Sequence, residues 1–272
     1  MSDVERIYVP PTRPGSFRFR RFRRGGFRRK GGCFGSLLLG TLAVLLVWAL
    51  WATRDSYSMH ELIPDGQHYQ VFVGGLLNKR ESIAASPAWA LAPRGSAIAE
   101  LPELLRRNFG MPDWLLNNLV YDGCHVSGHD AARFDDVLFV TRMSRVGCLA
   151  EKFHRFVGVA GDFTGGLRLR FFAPANLYYA VRGRVLVASP SRNAVIRAVT
   201  LRREDALPQD VLAKGLEEAG GADVYGRFAF EETEAAGEVF ADARVMLRFE
   251  ETGMSAMLHG ALRPPWRERL AG

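Results

Sequence analysis

From Gly31 to Thr53 the chain runs 23 residues, GGCFGSLLLGTLAVLLVWALWAT, without a charge. At roughly 1.5 Å per residue a helix of this length spans about 34 Å, enough for the hydrocarbon core of a bilayer. A buried helix in a soluble protein rarely runs so far without a charged residue, and Arg28, Arg29 and Lys30 stand directly in front of this one. The run therefore predicts one transmembrane helix over residues 31–53. A basic tail (1–30) precedes it, and a juxtamembrane linker (54–67) and a folded domain (68–272) follow.

The basic flank sets the orientation. Arginines crowd the N-terminal side, whereas the other flank opens Arg54-Asp55 and is nearly neutral. The positive side stays in the cytoplasm, which puts the C-terminal domain outside. Trp48 and Trp51 fall at the outer end of the span, where an indole suits the headgroup level. A cleaved signal peptide is the rival reading. It fits less well, because the apolar run exceeds the usual 7–15 residues and no small-x-small cleavage site follows Ala49. Cys33 lies at the start of the apolar run, on the wrong side of it for lipidation.

Charge outside the tail is close to balanced. Residues 1–30 carry ten Arg or Lys against Asp3 and Glu5, a local charge of +8, so the other 242 residues sum to −1 of the chain's +7. The folded part has no global field to draw in nucleic acid or acidic substrates. Arginine outnumbers lysine 32 to 4 and no Asn-x-Ser/Thr sequon occurs, as expected of a GC-rich bacterial chain that meets no glycosylation machinery. The expected location is a bacterial inner membrane, with the N-terminus cytoplasmic and the C-terminal domain periplasmic.

Within the tail, Arg18, Arg20, Arg21, Arg23, Arg24, Arg28, Arg29 and Lys30 are interleaved with Phe17, Phe19, Phe22 and Phe27 among prolines and glycines. The segment has no apolar period and is expected to be disordered. Its charges either only set topology or also hold the tail against anionic lipid headgroups, at about 1 kcal/mol per basic residue. Single-stranded RNA is the least favoured partner.

Beyond the membrane run, His68 to Val73 alternates as a strand. Ile98 to Phe109 and Pro112 to Leu119 read as helices. Val137 to Thr141 is the strongest strand signal, followed by a helix whose face is expected to carry Val146, Leu149, Phe153, Phe156 and Val157. Leu167 to Phe171 alternates strictly, which predicts Arg168 and Arg170 in solvent. Residues 177–181 and 185–188 flank Arg182-Gly183-Arg184 as a hairpin. Ser189-Pro190-Ser191 then supplies a cap for a helix through Val199, and another helix runs from near Pro208 to Ala219. Three antiparallel strands close the chain, at 224–230, 243–249 and 254–262. Without regular βαβ alternation, the fold class is α+β: a mainly antiparallel sheet covered by helices.

Chemistry-bearing residues are sparse. Cys124 and Cys148, in a chain exported to an oxidising compartment, either pair, which would contribute about 3 kcal/mol, or stay apart as thiols. His125, His129 and Asp130, with Asp135 and Asp136 nearby, are the best metal-ligand candidates. Gly123 and Gly128 oppose the helix that would bring the two histidines together, so a polar loop is expected instead. No catalytic or cofactor motif is found: no His-Glu-x-x-His, Gly-x-Ser-x-Gly, Ser-x-x-Lys, phosphate loop or Gly-x-Gly-x-x-Gly.

Ser86-Pro87-Ala88-Trp89, Val137 to Arg142 and above all YYAVRGRVLVASPSRNAVIRAV at 178–199 resemble an uncharacterised family of bacterial membrane-anchored proteins known only as a domain of unknown function. The resemblance implies the anchored topology and the fold class, with no catalytic residues to carry over. The sequence thus points to a single-pass signal-anchor protein with no cofactor, whose outer domain binds or scaffolds an unidentified envelope partner. The alternative is an envelope enzyme or metal-binding protein built on residues 124–136.

Overall fold

The computed structural model describes residues 32–74, 80–81, 83–86, 111–129, 136–156, 162–164, 167–219, 221–230, 238–250 and 253–271. The basic tail, the helix expected at 98–109, the glycine-rich break around residues 158–161 and the ligand candidates Asp130 and Asp135 lie outside them. The chain divides into two units, residues 1–45 and 46–272.

The uncharged run is helical, with residues 32–45 in the first unit and 46–52 in the second. Helix α1 covers Gly32–Ala52, and its side chains are described from Leu37 onward. Among the described residues no helix is long and apolar enough to cross a membrane.

The second unit is built on one antiparallel sheet. Its strands are β1 (Tyr69–Val73), β2 (Cys124–Gly128), β3 (Leu138–Arg142), β4 (Asp162–Thr164), β5 (Leu167–Phe172), β6 (Leu177–Arg182), β7 (Val185–Ser189), β8 (Val224–Ala229), β9 (Phe240–Glu250) and β10 (Gly253–Leu262). They lie in the order β10-β9-β8-β1-β2-β3-β7-β6-β5-β4. Gly183 turns the β6–β7 hairpin at φ 59°, the left-handed backbone that a two-residue hairpin reserves for glycine. The fold class expected from the sequence is thus observed as a mixed α+β domain with a large antiparallel sheet.

Helices cover both faces of the sheet. On one face α4 (Arg192–Val199) packs on β6 and β7. Ser191 caps it, its Oγ accepting from the N–H of Ala194 at 3.4 Å, as the Ser-Pro-Ser run predicts. Val140, Val185, Val187, Val195 and Ala198 form the core here. Leu62 and Ile63 complete it, so the stretch expected as a linker carries two fully buried residues into the domain. Helix α5 (Gln209–Ala219) lies further along the same face and contacts β8.

On the opposite face lie α2 (Asp113–Leu119) and α3 (Arg145–Phe156). Their backbones meet at Gly147, where a Cβ would come within 2.2 Å of the Asn118 carbonyl oxygen. A further helix, α6 (Pro264–Ala271), ends the described chain.

Three expectations need correction. The helix over 145–156 buries Gly147, Cys148 and Glu151, and leaves Val146 and Phe153 exposed, because the side that meets the sheet is set by close approach and an ion pair rather than by bulk. Arg170, expected in solvent, is 3% exposed, since α3 covers that face and brings Glu151 to 3.6 Å from it. The polar loop expected at 124–136 begins as β2, a strand in the middle of the sheet. There the polar residues His125 and Ser127 are buried by neighbouring strands on either side.

Candidate functional site

Two arrangements stand out in the second unit. The first fastens the start of the domain. Asp55 pairs with Arg142 and, at 3.6 Å, with Arg184, while Arg142 also reaches Asp122 at 3.3 Å. Arg184 donates from Nε and Nη2 to the Met143 carbonyl at 3.0 and 2.7 Å. Burial, and after it the positive charge of Arg184, lower the pKa of Arg142. The Arg182 guanidinium lies 4.8 Å from the Tyr57 ring centroid. From α3, Lys152 Nζ donates to the Ala52 carbonyl and Cys148 Sγ donates weakly to it at 3.9 Å. A cation at the last carbonyls of a helix satisfies groups the helix cannot satisfy itself and complements its dipole. Asp55, Tyr57, Glu61, Asp122 and Arg142 border an adjoining cleft of about 330 Å³.

The second is a cavity of about 320 Å³ between α5 and the sheet. The strand registers build its floor as two rows. One runs Ser127, Gln70, Arg227, Arg244 across β2, β1, β8 and β9, and the other runs His125, Phe72, Tyr225, Met246 across the same strands. Of these, Ser127 and Met246 are the two that do not border the cavity. Asp210, Val211, Leu212 and Lys214 of α5 form its roof. His125 is 1% exposed, and among the described residues neither ring nitrogen has a hydrogen-bond partner. Desolvation by burial lowers its pKa to about 4, so the ring is neutral at pH 7.

The sequence candidates fall differently. His125 lies within β2 and His129 one residue past its end, four residues further on, roughly 13 Å at the ~3.3 Å per residue of extended chain and too far to share one metal. His129 instead stands edge-on to His68 at 5.4 Å, and its backbone N–H donates to Asp136 Oδ2 at 2.8 Å. Among the described residues no group of three or more His, Cys, Asp and Glu could hold a metal. Cys124 is a free thiol, so the bridge to Cys148 is not made. The residue as a whole is half-buried, yet its Sγ is enclosed, and burial pushes the thiol up to about 12.

Sequence reasoning missed Gln70, Phe72, Tyr225, Arg227 and Arg244. Each reads locally as an ordinary strand residue, and only the pairing of β1 and β9 on β8 brings them together.

No protein-family model and no curated protein matches the chain. Among solved structures, crystal form I of TP0453 is similar over 80% of this chain and 85% of that chain, at 11% identity and a TM-score of 0.42. Crystal form III of TP0453 is similar over 80% and 87%, at 10% identity and a TM-score of 0.41.

Proposed function

We propose that this is a single-pass protein of a bacterial inner membrane whose outer α+β domain serves as a non-enzymatic binding or scaffolding module for other envelope components. The anchor is the uncharged run of residues 31–53, the cytoplasmic end is the arginine-rich tail held at anionic headgroups, and the domain is periplasmic. The observation that carries the reading is the clamp at residues 52–57. An apolar helix is followed at once by a chain segment fastened through Asp55, Tyr57 and the Ala52 carbonyl to five basic or thiol side chains of the domain. Such fastening suits a domain held at a fixed height above a surface, where it meets partners of the same membrane; a free tether would leave it to wander.

The test is a topology reporter active on both sides of the membrane, fused after Gly272 in a Gram-negative host, followed by fractionation and in-cell crosslinking. An outside-facing, membrane-retained C-terminus with a reproducible envelope crosslink is the expected result. A cytoplasmic or released C-terminus would overturn the reading.

A further inference from the structure

We infer that the outer side of the α2–α3 pair is a second membrane contact, which docks the folded domain on the surface of the bilayer that α1 enters. The inference extends the anchored reading proposed above and rests on it.

Helix α3 is turned inside out. At about 100° per residue, Val146, Leu149 and Phe153 share one side of it, and Cys148, Glu151 and Lys152 share another. The side that a soluble domain would bury is the one left out: Val146 is 55% and Phe153 68% exposed, with Leu149 between them half-buried. The charged side goes inward, Glu151 to Arg170 and Lys152 to the Ala52 carbonyl. A contiguous apolar face of this kind marks an interaction surface, where a single exposed residue would not.

The neighbouring helix adds to it. Trp114 of α2 is 56% exposed and lies one turn before Asn118, whose Oδ1 accepts from Ser144 Oγ just ahead of α3. Tyr121, 60% exposed, follows α2, and its N–H donates to the Arg142 carbonyl at 3.0 Å, next to Asp122 of the clamp. Trp and Tyr each carry an apolar ring with a polar tip, the form that suits the headgroup level of a membrane.

Position decides the partner. Cys148 and Lys152, one turn apart on α3, both reach the carbonyl of Ala52, the last residue of α1. Helix α3 therefore stands where α1 emerges from the hydrocarbon, and its exposed side is about 10–12 Å, one helix diameter, from that point. A face held at this level meets lipid before it meets any other protein. Amphipathic helices that lie in this layer bury their apolar side about 5–10 Å deep, within reach of Phe153 and Trp114.

The test uses the full chain in phosphatidylcholine nanodiscs whose acyl chains carry bromine near the headgroup. Trp114 is made the only tryptophan by Trp48→Phe, Trp51→Phe, Trp89→Phe and Trp266→Phe. Its emission is expected to lie to the blue and to be quenched by the brominated lipid. Phe153→Glu or Val146→Glu, both at exposed positions, should lower the ratio of docked to undocked domain roughly tenfold, the worth of about one large apolar side chain, and quenching should fall with it. Leu258→Glu, also exposed but on β10, should leave quenching unchanged. Moving the reporter by Trp114→Phe with Phe153→Trp should give quenching from α3 as well, which keeps the test decisive if a Glu variant misfolds. Red, unquenched emission from Trp114 overturns the inference. Blue emission without quenching assigns the face to a protein contact, and an equal loss from Leu258→Glu makes the effect nonspecific; either result also overturns it. The same samples separate the two readings: a chain that does not co-elute with the discs overturns the anchor and the docking together, whereas an unquenched Trp114 in a chain that does co-elute overturns the docking alone.

Discussion

The two halves of the sheet are made from the same kind of strand but are closed in different ways. Around β3, β7, β6 and β5 both faces are covered. Helix α4 with Leu62 and Ile63 seals one face over Val140, Val185 and Val187, and α3 seals the other over Val181 and Arg170. Along β1, β8, β9 and β10 the strands lengthen and the cover thins. The face beneath α5 holds arginines and a cavity, and Met257 and Leu258 of β10 are 56% and 70% exposed. Apolar burial contributes about 1.5–3 kcal/mol per large side chain, so the first half carries most of the stability. The second half is left to hold groups that a core would reject, which is where recognition of a partner can reside.

The largest effect is expected in the closed half. Arg170 and Glu151 are both nearly inaccessible and lie 3.6 Å apart, with Tyr179 Oη accepting from Arg170 at 3.5 Å. Glu151→Ala would leave the guanidinium charge buried without its counter-charge and is expected to cost about 3–5 kcal/mol in a urea melt. Glu151→Leu combined with Arg170→Met removes both charges and should recover most of that loss. Equal losses in the single and double variants would show that the pair contributes packing alone.

A smaller effect probes the boundary between the halves, at His125. The unfolded chain protonates this ring below pH 6.5, while the folded one resists until about pH 4. The stability linked to this ring is therefore full above pH 6.5, falls as the pH drops through that window, and is about 3 kcal/mol lower at pH 4. Subtracting the pH–stability curve of His125→Leu from that of the unaltered protein isolates this loss from the titration of carboxylates. A flat difference between pH 6.5 and 4 would mean that the ring is hydrated in the folded state.

What the sequence made legible follows the same division. Strand β1, the 177–189 hairpin, the Ser-Pro-Ser cap and the three last strands were readable, because alternation, a turn glycine and a capping hydroxyl are local signals. Strand β2 was not, because His125 and Ser127 point into the protein and mimic the polarity of a loop. The buried side of α3 was misread for a related reason. Gly147 is chosen for approach to Asn118 and Glu151 for its partner, and neither choice leaves an apolar stripe. Of the cavity only His125 was singled out. Arg227 and Arg244 become a pair through register between strands, which no local pattern encodes.

The smallest expected effect lies at the open edge. Leu258 sits on β10, the terminal strand of the described sheet, and is 70% exposed. Truncating it removes almost no buried surface, so Leu258→Ser should change stability by no more than about 0.5 kcal/mol. Its consequence should appear in association. A long terminal strand with apolar side chains is a template for pairing with another chain, and natural edges are normally blunted by charge or proline. Neither is found between Met254 and Leu258, where the residues are Met, Ser, Ala, Met and Leu. Light scattering of the full chain in nanodiscs as concentration rises should show less self-association for Leu258→Ser at an unchanged melting temperature. A drop in melting temperature by several degrees would instead show that this edge is packed in solution, and the contrast between the two halves would fail there.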